Sequence, residues 1–138
     1  MWENILKILQ RYGYVYLEGL AGTLWIAAIT VVAGTVIGII LAVMRLGKCR
    51  PCEWLVRFYI WIIRGTPSLL QLYFFWIGLP KLIPFELSDT QCIVIALAVN
   101  ASAFISEIIR AGIAAVDKGQ WEAARSIGLS ETHVMTHV

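Results

Sequence analysis

Charge is what this chain has least of. Only 14% of its 138 residues are Asp, Glu, Lys or Arg, where a soluble domain carries about 25%. That shortage excludes an ordinary soluble surface. The net charge of +2 is too small to suggest a nucleic-acid partner. Cysteine and histidine are also sparse, at three and two residues. Cys49 and Cys52 have the C-x-x-C spacing of redox and metal sites, but no second pair and no strand–helix context accompanies them. In the cytosol such a pair stays reduced. His133 and His137 share a helix face at i, i+4, without the Glu of an H-E-x-x-H pattern and without a third ligand. No metal site is expected. No Gly-rich phosphate loop, nucleophile–base set or pair of catalytic carboxylates occurs. The chain therefore reads as no enzyme, with no cofactor and no ATP site of its own.

What is abundant is apolar: 59% of residues are hydrophobic and the mean hydropathy is +0.77. This composition points to an all-α, polytopic membrane protein set in a lipid bilayer, one domain or part of one. Residues 1–18 are mixed. Ile5, Leu6, Ile8 and Leu9 oppose Glu3, Lys7, Gln10 and Arg11, as in a short amphipathic helix on the bilayer surface. A partly ordered terminus is the plainer alternative. It makes a poor signal peptide, because the apolar segment starts late and runs too long. Gly19 to Met44 carries no charge and would make a helix of roughly 39 Å, enough to cross a ~30 Å core. Thr30, Gly34, Gly38 and Ala42 recur every four residues, a stripe suited to close helix packing before it is read as a pore wall.

Arg45 to Arg57 holds four basic residues against Glu53, which makes it a cytoplasmic loop by the positive-inside rule. The second span is placed at about 58–79. The uncharged run between Arg64 and Lys81 is too short alone, so the helix must begin near Phe58 and carry Arg64 inside it. A charge there costs about 2.5–3.5 kcal/mol at mid-membrane and less near an interface. Either Arg64 and Gln71 face inward along a bent, path-lining helix, or Arg64 snorkels to the surface and Gly65-Thr66-Pro67 is a plain break. Gly78 to Gln91, with Glu86 and Asp89 against Lys81, reads as an external loop. The third span is placed at 92–116. Glu107 and Arg110 are three apart and so neighbours on one face, which suggests a local ion pair at the inner edge. Asn100 near the midplane and Glu107 are also candidates to line a path. The resulting topology has three spans with the amino terminus outside.

Residues 117–138 form a polar cytoplasmic tail. Within it Glu122-Ala123-Ala124, three residues and Gly128 read as a short helix stopped by glycine. The pattern resembles the EAA loop of permease subunits in binding-protein-dependent ABC importers. Arg64-Gly65-Thr66-Pro67 and Gly119-Gln120 resemble the polar amino-acid branch of that family. The resemblance runs from about Tyr16 to Val138. It implies a partial ABC importer transmembrane domain over 19–138 that forms a translocation path in the bacterial plasma membrane. It assigns Gly119, Glu122, Ala123, Ala124 and Gly128 to coupling with a cytoplasmic ATPase, which would bind ATP and magnesium. Further implied partners are a second permease subunit, identical or not, and an extracytoplasmic amino-acid-binding protein. The family pattern continues beyond Gly128 with further spans. Val138 falls where its next conserved Ile would be, so a chain cut short within this loop is expected. The alternatives are a non-transporting three-helix membrane interaction protein, an inactive fragment, or half of an ion-coupled carrier. The last would need an inverted repeat and buried ion ligands, and neither is visible.

Overall fold

Small residues in the first apolar run decide how the helices meet. In the computed structural model, which describes residues 2–47, 49–130 and 133–134, helix α1 spans Trp2–Leu46. Helix α5 spans Asp89–Ala114 and lies along it. Gly34 and Gly38 are buried at this contact. A Cβ added to Gly34 would lie 2.9 Å from the Ala101 Cβ, and one added to Gly38 would lie 2.8 Å from the Ile105 Cγ2. Thr30 and Ala42 on the same stripe are buried as well. The stripe is thus a helix-packing surface, and at Gly34 and Gly38 only the absence of a side chain lets the two backbones approach this closely.

Helix α2 spans Arg50–Gly65 and closes a triangle with α1 and α5. Val56, Ile60 and Ile63 pack with Ala103, Leu41 and Val99. The Tyr59 hydroxyl donates to the Val99 carbonyl at 2.9 Å and lies 2.8 Å from the Ser102 Oγ. Outside this seam the surface is apolar, with Trp25, Val32, Trp61 and Ile108 each more than three-fifths exposed. Such an exterior suits lipid or further helices and not water.

Two helical stretches among the described residues are long and apolar enough to cross a bilayer, Gln10–Leu46 and Asp89–Ala114. Three sequence expectations change here. First, residues 2–18 do not form a separate surface helix but run without a break into α1. Second, most of the basic segment 45–57 is helical. Arg45 lies in the last turn of α1, and α2 begins at Arg50, with Pro51 in its first turn, where a missing N–H costs nothing. Third, no single helix covers 58–79, so three unbroken spans are not found. Helix α2 stops at Gly65, and Thr66 is extended at φ −112°, ψ 143°, as the residue before a proline tends to be. Helix α3 (Ser68–Tyr73) follows, then a π-helical turn over Phe74–Gly78 and the short α4 (Leu79–Leu82). Pro80 offers no N–H to the Trp76 carbonyl and its ring would crowd it, which accounts for the widened turn just before it.

The chain then turns through 83–88 into α5. Ser88 and Gln91 form a reciprocal capping box there, with the Gln91 N–H donating to Ser88 Oγ and the Ser88 N–H donating to Gln91 Oε1. Trp76 Nε1 donates to Asp89 Oδ1 at 2.8 Å, which pins the π turn to the start of α5.

Candidate functional site

The first candidate region is the break between α2 and α3. Pro67 has no N–H, so the Ile63 carbonyl loses its helical donor. The buried Gln71 side chain supplies one. Its Nε2 donates to the Ile63 carbonyl at 2.6 Å, to the Thr66 carbonyl at 3.1 Å and to Thr66 Oγ1 at 2.7 Å. Its Oε1 accepts from Asn100 Nδ2 at 2.9 Å, so the structure brings these two path candidates together across α3 and α5. An apolar cleft of about 440 Å³ opens beside them, lined by Ile62, Thr66, Leu70, Gln71 and Phe74 among others.

The other two path candidates lie elsewhere. Arg64 is exposed in the last turn of α2, with its guanidinium 5.4 Å from the centre of the Phe104 ring. That distance suits a cation–π contact, and the arginine takes no part in the Gln71–Asn100 network. Glu107 pairs with Arg110 on its own helix, as the spacing suggested. It also pairs with Arg45 at the end of α1, at 2.5 Å. Sequence reasoning missed Arg45: its position in a basic run was visible, but its partner sits 62 residues away on another helix. The bridge ties the C-terminal end of α1 to the C-terminal half of α5.

The second region is helix α6, Lys118–Ser126, which leaves the end of α5 after a short turn. Asp117 caps it, its Oδ1 accepting from the Gly119 N–H at 2.6 Å. At the other end the Leu129 N–H donates to the Ala124 carbonyl and the Gly128 N–H to the Arg125 carbonyl. Gly128 has φ +85°, the one positive φ among the described residues. This is a Schellman closure, whose left-handed residue is usually glycine because a Cβ there would clash. Glu122 and Ala123 are exposed, whereas Ala124 is buried. Of the two alanines that the resemblance assigns to coupling, only Ala123 therefore faces outward. A groove of about 440 Å³ runs between α5 and α6, lined by Ile113, Val116, Trp121, Glu122 and Arg125 among others.

Among the described residues no group of three or more His, Cys, Asp or Glu could hold a metal ion. His133 Nδ1 lies 2.9 Å from the Ser130 Oγ, and His137, its proposed neighbour, falls outside the described residues.

Comparison with known proteins adds a lineage to this geometry. The profile of the family described as "Binding-protein-dependent transport system inner membrane component" matches residues 34–138. The arginine transport system permease protein of Bacillus subtilis (strain 168) is 45% identical over 113 residues, covering 82% of this chain and 52% of that protein. A second protein of that organism, named "Probable glutamine ABC transporter permease protein", is 40% identical over 124 residues, covering 90% of this chain and 57% of the relative. A crystal structure of an amino acid ABC transporter with histidines superimposes with a TM-score of 0.86 at 38% identity, over 92% of this chain and 59% of that one. The chain thus spans a little over half the length of the relatives it matches.

Proposed function

This chain belongs to the family of inner membrane components of binding-protein-dependent transport systems, and from that premise we propose that it serves as the membrane permease component of an ATP-driven importer of polar amino acids. It crosses the bacterial plasma membrane with its amino terminus outside, the middle crossing being the broken α2–α3–α4 segment. A second permease subunit completes the path, and an extracytoplasmic binding protein delivers the substrate. A cytoplasmic ATPase binds ATP and magnesium, so no hydrolytic step falls to this chain. The path runs past the helix break, where Gln71 and Asn100 sit. Their hydrogen-bonding side chains suit a polar amino acid, and relatives named for arginine and glutamine transport agree with that class.

One observation carries the reading. Helix α6 is a short polar helix, capped at both ends, hung from a long apolar helix and presenting Glu122 and Ala123 outward. A rigid element of this kind can transmit a push from a docked ATPase to the membrane helices, with the Asp117 cap on the Gly119 N–H and the Gly128 closure setting its two ends. The test is Gly128→Val in an assembled transporter carrying this segment. A β-branched residue at φ +85° costs at least about 1–2 kcal/mol and opens the closure. Membrane insertion should survive, while co-purification of the ATPase and ATP-driven amino-acid uptake should fall together. Normal uptake by this variant would remove α6 from the coupling role.

A further inference from the structure

One pair of nucleophilic side chains takes no part in the transport reading. Cys49 is the N-cap residue of α2, and Cys52 sits in its first turn. The two thiols face each other, Sγ to Sγ, at 2.8 Å. Cys49 is exposed and Cys52 partly so, whereas the remaining cysteine, Cys92, is buried. From the geometry of this pair we propose that Cys49 and Cys52 form a reversible dithiol–disulfide site at the turn joining α1 to α2, oxidised by small disulfides of the glutathione type.

Placement is the physical basis. A residue at the N-cap and one three positions on lie over the same turn, so a bond between them closes a small ring without moving the helix. The hydrogen bond from the Cys52 side chain holds the Cys49 thiol below its ordinary range and pushes the Cys52 thiol up. The Cys52 backbone N–H in that first turn also bonds the Cys49 sulfur, which favours a thiolate over a thiol. Cys49 is thus the attacking sulfur and Cys52 the resolving one.

The chemistry balances in two exchanges. The Cys49 thiolate attacks one sulfur of the small disulfide, forms a mixed disulfide and expels one small thiolate. Cys52 then gives up its proton and attacks the Cys49 sulfur, expelling the second small thiolate, and the two leaving groups end as thiols. The protein loses two electrons and two protons, and the small disulfide gains them. At a reducing poise the pair rests as the dithiol. The oxidised form ties the N-cap of α2 to its first turn, next to the Glu53–Arg57 pair that borders the ion pair between α1 and α5.

The test uses the purified chain in detergent, so it does not depend on which side of the membrane the turn occupies. The protein is treated with glutathione disulfide, and intact mass is read with and without a later reductant. The expected result is a loss of about 2 Da, with no small thiol retained, and full reversal by reductant. Native maleimide labelling should fall from two thiols to none. Cys52→Ser should instead trap a stable mixed disulfide on Cys49. A persistent adduct on the wild-type chain, unchanged labelling, or failure of Cys52→Ser to take up the small thiol would each overturn the proposal.

Discussion

Gln71 supplies with its side chain the donor that Pro67 removes from the backbone. Sequence reading singled out Gln71 because a polar residue in an apolar segment invites a functional role. The structure gives it a structural task as well, since three of its hydrogen bonds close the helix break. That task was not legible in the sequence: Gly65-Thr66-Pro67 announced a break, but nothing in the spacing said which side chain would satisfy the freed carbonyls. Gln71→Leu should destabilise the chain in detergent by about 1–3 kcal/mol, the cost of a buried acceptor left without a donor. Adding Pro67→Ala restores an N–H at position 67 and should recover part of that loss, a coupling readable by a double-mutant cycle of thermal unfolding. Strictly additive effects would show that Gln71 does not compensate for Pro67. The Glu107–Arg110 pair was legible for the opposite reason: both members lie on one helix at a spacing that makes contact almost unavoidable. Arg45 was not, because its bridge needs the fold first.

The apolar part of α1 from Gly19, most of α5 and the helix that ends before Gly128 could be read in advance, since long uncharged runs and a glycine stop are local signals. The small-residue stripe even named the face of α1 that packs. It could not name the partner helix, which follows from the tertiary arrangement of Ala101, Ser102 and Ile105 on α5. Gly38→Val tests that contact. The first added carbon would already lie 2.8 Å from Ile105 and 3.2 Å from the Ser102 carbonyl, so the helices must separate. Overpacking of this kind costs about 1–3 kcal/mol. Gly22→Val, where nothing lies within 4 Å of the added carbon, should carry no such cost, because valine is the better helix former of the two. Equal melting temperatures for the two variants would contradict the packing described. The middle segment was placed as a single span because hydropathy counts residues and not backbone continuity, and only its interruption at Gly65-Thr66-Pro67 was legible. Its length was sufficient only if it were one helix, and Pro67 and Pro80 divide it into pieces. The basic segment before it misled for a related cause. Arg45, Lys48, Arg50 and Arg57 against Glu53 suggested a loop by charge, yet Pro51 fits a first helical turn and α2 simply starts there.

In the molecule as a whole, a triangle of α1, α2 and α5 presents apolar side chains outward and carries one polar helix on its end. The relation of that helix to the bundle is where fold and function meet. Asp117 and Gly128 fix its ends, Ala124 is buried, and Glu122 and Ala123 remain exposed. The helix and its glycine stop were visible in the sequence, whereas the Asp117 cap was not. Which alanine faces outward was not, because that depends on how the helix lies against the rest of the chain. The most direct measurement is disulfide cross-linking from Ala123→Cys to single cysteines on the ATPase, in an assembled transporter with Cys49 and Cys52 replaced by serine. If α6 is the coupling element, Ala123→Cys should cross-link to the ATPase, with a yield that changes on adding ATP. Gly22→Cys, far from α6 in the chain, should give no such product. Absence of a cross-link from Ala123→Cys in a transporter that still imports amino acids would contradict the assignment.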